Sequence, residues 1–159
     1  MKENKEKAAC FAGHRALSQK KIEWIVKRLN EEVDRLIQQG VTTFVSGGAV
    51  GFDQIAASLI ISKKQQGINV RLIFALPCLN QDEKWADRQK KLYHSLLGEG
   101  DEVVYVSEEY TPNCMKERNI YMVDNSAHCI CAMVKDFSGT GQTVLYALQQ
   151  GLEIINVAK

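Results

Sequence analysis

The chain has 159 residues, of which 45% are hydrophobic, and this suits one folded domain with a substantial core. Its 20 basic and 19 acidic residues give a formal net charge of +1, which excludes a general electrostatic drive toward nucleic acid or membranes. No apolar run is long enough to span a bilayer, and the charged first residues do not resemble a secretion signal. We therefore expect a cytoplasmic protein that contacts no membrane, and the charge gives no reason to expect nucleic acid as a partner.

Short apolar runs alternate with longer segments whose apolar residues recur at helical spacing. The short runs predict strands over residues 8–11, 43–45, 70–75, 102–106, 128–134 and 153–157. The periodic segments predict helices over about 18–39, 52–67, 81–97, 112–125 and 141–150. This alternation predicts an α/β fold with a mainly parallel sheet of about six strands, covered on both faces. We find no linker or repeat, so residues 1–159 are predicted to form a single domain.

A glycine-rich turn follows the second predicted strand and opens the second helix. It contains Ser46, Gly47, Gly48 and Gly51, and Asp53 lies in the first turn of the helix. Glycines at such a turn let backbone amides approach a ligand, and the helix N-terminus adds unpaired N–H groups and partial positive charge. The spacing is neither a Walker A loop nor a dinucleotide fingerprint. Asp53 either caps the helix or accepts hydrogen bonds from a ribose or base.

A second turn of the same kind follows the fifth strand. It contains Ser138, Gly139, Thr140, Gly141 and Thr143. In open parallel sheets, ligands bind beyond the carboxyl ends of the strands, where both turns are expected to lie. The two turns together predict a cleft for an anionic, phosphorylated small molecule.

Two further segments carry candidate ligand-binding residues. Gly13, His14 and Arg15 follow the first strand, where the arginine is suited to a phosphate or carboxylate and the histidine to a phosphate or base. The alternative is a surface loop in which the glycine only makes a turn. Arg118 and Asn119 on the fourth helix belong either to a solvated face or to the crevice.

These motifs resemble those of the SLOG superfamily, which includes the Smf/DprA and LOG proteins, and the resemblance is nearest to its small, stand-alone YpsA-like branch. It covers nearly the whole chain and rests on residues 13–15, residues 46–53, Pro77, Gln81 and Trp85. The resemblance implies a Rossmann-like, three-layer α/β/α sandwich.

LOG proteins hydrolyse the N-glycosidic bond of nucleoside monophosphates, and Arg118 matches their arginine. Their glutamate has no counterpart, because Val144, Leu145 and Tyr146 follow Thr143. This counts against LOG-type catalysis, which needs a carboxylate, and the catalytic residues stay unknown. Smf/DprA proteins bind single-stranded DNA, which requires a basic track that the neutral charge disfavours. LOG relatives often dimerise, so the resemblance also allows a homo-oligomer.

The main hypothesis is therefore binding of a nucleotide or nucleotide derivative, of the ADP-ribose or NAD type for example, in a sensor or regulatory role. Amides of residues 47–51 and 139–143 would hold phosphate, Arg15 and Arg118 would supply charge, and Asp53 and Asn119 would orient the sugar or base. The alternatives are a LOG-type hydrolase and a single-stranded DNA binder. We expect no resident cofactor and no metal site.

Overall fold

Continuous apolar strands form a six-stranded sheet in the computed structural model, which describes residues 4–159. The strands are β1 Ala8–Gly13, β2 Thr43–Ser46, β3 Arg71–Leu76, β4 Glu102–Tyr105, β5 His128–Ala132 and β6 Glu153–Asn156. The helices are α1 Gln19–Gln38, α2 Phe52–Gln65, α3 Asp87–Gly98, α4 Cys114–Asp124 and α5 Gly139–Gln149, preceded by a short 3-10 turn at Lys5–Lys7. All neighbouring strands pair in parallel, which confirms the predicted Rossmann-like α/β fold.

Helices cover both faces of the sheet, because successive strand side chains point to opposite sides. On β1, Ala9 and Phe11 join a core cluster with α1, α2 and α3, whereas Cys10 and Ala12 join a second cluster with α4 and α5. The rings of Phe11 and Phe44 stack within the first cluster with their centroids 6.0 Å apart. The result is the three-layer sandwich that the sequence predicted.

The strand order is β4-β3-β2-β1-β5-β6. The chain moves outward from β1 to β4 on one side and then crosses to β5 on the other side of β1. The order therefore reverses between β1 and β5, and a crevice forms beyond the carboxyl ends of strands at such a point. The turns after β1, β2 and β5 all leave the sheet at this edge.

The long helix α1 is amphipathic. Ser18 caps it by accepting a hydrogen bond from the Lys21 amide at 3.3 Å. Its buried residues recur every three or four positions: Ile25, Leu29, Val33 and Leu36. Its other face is mainly polar, although Trp24 and Val26 are exposed there. None of the helices within residues 4–159 combines the length and apolar character needed to cross a membrane.

Three predicted helix boundaries were wrong. Helix α3 begins at Asp87 rather than 81, because residues 79–86 form turns that include a hydrogen bond from the Trp85 amide to the Asp82 carbonyl at 3.0 Å. Helix α4 begins at Cys114 after Asn113, not at Pro112. Helix α5 begins at Gly139, two residues earlier than predicted, because Ser138 is its cap.

Candidate functional site

A cavity of about 330 Å³ opens at the carboxyl edge of the sheet, where the strand order reverses. Its walls come from the turn after β1, the turn that opens α2, one face of α4 and the first turn of α5. Both glycine-rich turns contribute to it, Ala49 and Asp53 from the first and Gly139, Thr140 and Thr143 from the second. The two turns therefore face one shared hollow.

Internal hydrogen bonds occupy part of the first glycine turn. The Ser46 hydroxyl accepts a hydrogen bond from the Gly48 amide at 3.2 Å and donates one to the Asp53 carbonyl at 2.9 Å. Gly48 is covered by side chains, since a Cβ there would lie 3.0 Å from Leu76 and 3.1 Å from Tyr93. The amides of Gly48 and Ala49 are thus occupied within the turn, and Gly47, Val50 and Gly51 do not line the cavity.

The first glycine turn also packs against the turn that follows β1. The Phe52 amide donates to the His14 carbonyl at 3.1 Å. Gly51 has a φ of 99°, and a Cβ there would lie 2.7 Å from the Arg15 carbonyl carbon. A side chain at position 51 is thus excluded by both conformation and space. This close approach fixes the position of residues 14 and 15 relative to α2.

Arg118 projects from α4 into the bottom of the cavity and is 4% exposed. Its Nη1 donates to the Gly47 carbonyl at 2.7 Å, and its Nε donates to Asn119 Oδ1 at 2.8 Å. Within residues 4–159, its Nη2 has no hydrogen-bond acceptor. A buried guanidinium with an unused donor edge in a cavity is well suited to an anionic ligand atom.

Asp53 lies in the same part of the cavity and is 7% exposed. Burial raises the pKa of its carboxyl from 3.8 to about 6, while the Arg118 charge and a hydrogen bond from the Ala49 amide oppose the rise. The carboxyl therefore titrates near pH 6, above the range of an exposed aspartate. It is the only acidic side chain among the residues that line this cavity.

The second glycine turn presents free amides. Ser138 caps α5, with its hydroxyl accepting from the Gly141 amide at 3.0 Å and its carbonyl accepting from the Gln142 amide at 3.0 Å. The amides of Gly139 and Thr140 have no acceptor within the described residues, as expected for the first turn of a helix. Thr143 donates its hydroxyl proton to the Gly139 carbonyl at 3.0 Å. The α5 N-terminus is thus the more open anion site of the two turns.

His14 connects the turn after β1 to the loop before α5. Its Nε2 lies 3.0 Å from the Val134 amide and 3.3 Å from the Lys135 amide, so the ring accepts from both and is neutral. Burial, together with the Lys135 charge, lowers the pKa of His14. Next to it, the Arg15 guanidinium stacks on the Trp85 ring, 5.6 Å from its centroid.

The structure brings nine of the predicted ligand-binding residues to the cavity wall: Gly13, His14, Arg15, Asp53, Arg118, Asn119, Gly139, Thr140 and Thr143. The others shape the turns behind that wall: Ser46, Gly47, Gly48, Gly51, Ser138 and Gly141. The ligand-binding role of both sets stays a prediction.

The sequence analysis missed Met115 and Met122, which also line the cavity. Together with Arg118 and Asn119 they occupy positions spaced by three, four and seven residues, so they share one face of α4. If Arg118 is assigned to the crevice, this helical spacing places the two methionines there as well, so it is the signal that could have found them.

A second cavity of about 270 Å³ adjoins the first, between α4 and α5. Met115, Asn119, Gly139 and Thr143 line both cavities. The remaining wall of the second cavity consists of Pro112, Lys116, Ile120, Gln142 and Tyr146.

Solved structures with the same fold include two DNA processing proteins. The structure of DprA from Streptococcus pneumoniae has a TM-score of 0.68 and 21% identity, covering 94% of this chain and 50% of that protein. DprA from Helicobacter pylori, whose structure is described in terms of its single-stranded DNA binding mode, has a TM-score of 0.64 and 19% identity, with 92% and 63% covered. This chain thus spans about half to two thirds of these proteins, and the likeness establishes the fold.

Relatives in sequence carry names that describe no activity. The SPbeta prophage-derived protein YoqJ of Bacillus subtilis is 29% identical over 137 residues, which cover 76% of this chain and 80% of YoqJ. The UPF0398 protein BH1768 of Halalkalibacterium halodurans is 27% identical over 121 residues, which cover 75% of this chain and 64% of that protein. The model of the YpsA family, described as the YspA SLOG family, matches residues 13–155. The chain therefore belongs to the YspA SLOG family.

Proposed function

We propose that this protein binds a nucleotide or nucleotide derivative in the 330 Å³ cavity and serves as a sensor or regulator. The observation that carries the proposal is the meeting, in one cavity, of the free α5 amides and the unused donor edge of buried Arg118. A cavity of this size falls at the lower end of the range for small-molecule sites. Its donors are complementary to phosphate oxygens.

The phosphate belongs at the N-terminus of α5 in this proposal. The amides of Gly139 and Thr140 and the partial positive charge of the helix end favour an anion there. Arg15, at the rim, adds a guanidinium that lies over the Trp85 ring, 5.6 Å from its centroid. Arg118 supplies a second cation from below, so the phosphate is approached from two sides.

The sugar or base belongs beside Asp53 and Asn119. Since Asn119 Oδ1 accepts from Arg118 Nε, its side-chain NH2 group is left to donate to a ligand. The Asp53 carboxylate can accept hydrogen bonds from ribose hydroxyls, and its pKa of about 6 leaves it mostly ionised at neutral pH. Donor and acceptor side by side suit a vicinal diol or a base edge.

Thermal-shift and calorimetric titrations with nucleoside mono- and diphosphates, ADP-ribose and NAD test this proposal. A ligand that binds only the folded state raises the Tm by mass action. The key variant is Gly139→Asp, where a Cβ meets no atom within 4 Å. Its carboxylate occupies the same helix end, so we expect an unchanged or higher Tm without ligand, and loss of the ligand-induced shift.

Gln19→Glu is the matched control, because it makes the same charge change at the N-terminus of α1, outside both cavities. It should keep the wild-type response to nucleotides. If no nucleotide raises the Tm of the wild type, the proposal fails. If Gly139→Asp and wild type respond equally, the phosphate does not bind at α5.

A second candidate, hydrolysis of a nucleotide N-glycosidic bond, is favoured by the raised pKa of Asp53. A carboxyl that titrates near pH 6 beside a sugar suits general acid or base chemistry. Val144, at one of the positions where LOG proteins would carry their glutamate, is buried in the core instead. Release of free base from nucleoside monophosphates, abolished by Asp53→Asn, would favour this candidate over simple binding.

A third candidate, binding of single-stranded DNA, is favoured by the fold likeness to Helicobacter pylori DprA. An exposed aromatic residue, Phe137, stands in the loop just before α5 and offers a stacking surface for a base. The formal charge of +1 counts against a long basic track. Oligonucleotide binding measured at several salt concentrations separates this candidate from mononucleotide binding.

A further inference from the structure

The cavity between α4 and α5 is open to the proposed phosphate position. It shares Gly139 and Thr143 of the α5 first turn with the main cavity, and Met115 and Asn119 of α4. A phosphate held at the α5 amides therefore lies at the boundary between the two cavities. A phosphate bound there would have one oxygen toward the main cavity and another toward the second cavity.

The two cavities differ in chemistry. The main cavity contains His14, Arg15, Asp53 and Arg118, four ionisable groups at a polar end of the sheet. The second cavity has Pro112, Met115, Ile120 and the ring of Tyr146 as its walls, and its single charged side chain is Lys116. A charged or strongly hydrated group gains little there, whereas an apolar or aromatic group loses its exposure to water.

The aromatic wall is held in place. The Tyr146 hydroxyl donates to Asp124 Oδ1 at 2.7 Å. This hydrogen bond links the Tyr146 ring on α5 to the last residue of α4. Gln142 and Asn119 bring side-chain amides to the edge of the same cavity. Small-molecule pockets in proteins are usually lined by apolar and aromatic side chains with a few polar groups such as amides, and such walls suit an aromatic ring.

From these features we propose that the cavity between α4 and α5 is a second binding subsite, which takes an uncharged aromatic group joined to the nucleotide through its phosphate. The ligand class is thus a two-part phosphodiester or diphosphate, with a nucleoside in the main cavity and a ring in the second one. This inference rests on the proposed nucleotide site, because that site fixes the phosphate.

The test compares the four nucleoside 5′-monophosphates with their methyl and phenyl phosphoesters by isothermal titration calorimetry. Methyl and phenyl esters carry the same charge, so their affinity ratio measures only what the ring gains. We expect the wild type to bind the phenyl ester of at least one nucleotide about tenfold or more tightly than its methyl ester. Equal affinity for the two esters overturns the second subsite.

Two variants locate the ring. Gln142→Trp fills the second cavity from an exposed position in the first turn of α5, and Ile120→Ala removes part of its apolar wall. In each variant the phenyl-to-methyl ratio, measured within the same protein, should fall toward one. A ratio that stays at the wild-type value in both folded variants places the ring elsewhere and overturns the proposal.

The results also separate this inference from the proposed function. Binding of monophosphates with no preference for the phenyl ester leaves the nucleotide site intact and removes the second subsite. Absence of binding by any monophosphate or ester removes both.

Discussion

Arg118 Nη1 and the Gly47 carbonyl oxygen lie 2.7 Å apart, although the two residues are 71 positions apart in the chain. This hydrogen bond joins α4 to the first glycine turn and fixes the guanidinium at the bottom of the cavity. A Cβ at position 47 would overlap Arg118 Nη1 and lie 2.7 Å from its Cζ and 2.8 Å from Asp53 Oδ2. Gly47 is therefore required for the space that the two charged groups occupy.

Gly47→Ala should displace Arg118 and weaken nucleotide binding. Because neither charged group can move without leaving a buried partner, we expect a loss of about 1–3 kcal/mol in the free energy of unfolding. Chemical denaturation and calorimetric titration measure the two effects. Gly98→Ala is the control, since a Cβ there meets nothing within 4 Å and the residue is at the end of a helix. Equal stability of both variants would contradict this account of Gly47.

The pKa of Asp53 predicts a specific dependence of stability on pH. Since the pKa is higher in the folded state than the usual 3.8, the folded protein binds the proton more tightly. The resulting stabilisation is fully present below pH 3.8 and is lost as the pH rises through about 6. A rise from 3.8 to about 6 corresponds to about 3 kcal/mol.

Asp53→Asn removes this titration. The difference in unfolding free energy between wild type and variant should therefore shift in favour of the wild type on going from about pH 7 to about pH 4. Denaturant titrations at several pH values measure this difference, and carboxyl NMR shifts report the pKa directly. Parallel stability curves for the two proteins would show that Asp53 titrates normally.

The lowered pKa of His14 predicts the opposite pH dependence of stability for the loop before α5. Because its pKa is lowered, the neutral ring contributes stability above its ordinary value of 6.5, and this is lost as the pH falls through the folded pKa. Protonation puts a hydrogen on Nε2 and breaks both bonds from the Val134 and Lys135 amides. As the pH falls, hydrogen exchange at these two amides should therefore slow down less than base-catalysed exchange alone predicts.

The His14→Ala variant lacks both hydrogen bonds at every pH. Its Val134 and Lys135 amides should therefore exchange as unprotected amides throughout, with no additional dependence on pH. His94, whose Nε2 pairs with Asp82 at 2.9 Å on another part of the surface, provides the control. His94→Ala should leave the exchange of both amides as in the wild type. Protection unaffected by His14→Ala would mean that the two hydrogen bonds do not hold the loop.

Single-stranded DNA should bind weakly. With a net charge of +1, we expect an oligothymidylate about 20 nucleotides long to bind no more tightly than about 10⁻⁶ M near physiological salt. Fluorescence anisotropy at about 50 and 200 mM salt measures affinity and salt dependence. Tight binding that Phe137→Ala reduces by about tenfold, with Leu148→Ala as an exposed control on α5, would favour the DNA-binding candidate instead.

The sequence predicted the fold well because strand burial and helix periodicity are local signals. Phe11, Phe44 and Phe74 stand in short apolar runs that only a buried strand accommodates. Parallel strands then bring their carboxyl ends to one edge, so residues as distant as Arg15 and Thr140 were correctly expected to lie near one another.

The sequence could not show which of the two glycine turns keeps its backbone amides free for a ligand. Both turns have glycines after a strand, but in the first the Gly48 and Ala49 amides bind Ser46 and Asp53, and the space beside its glycines is filled by Arg118 and Tyr93. These contacts come from segments far away in the chain. A local motif gives the backbone shape of such a turn, whereas long-range packing decides which amides remain free.

The residues that α4 contributes to the cavities differ in how much the fold depends on them. Arg118 and Met122 are buried and packed into the scaffold, whereas Met115 and Lys116, one turn earlier, are exposed. Exchanging exposed side chains usually changes folding free energy by less than about 0.5 kcal/mol. Substitutions at Met115 and Lys116 can thus change which ligands the edge of the cavity accepts. Arg118, Met122 and the fold that packs around them stay the same.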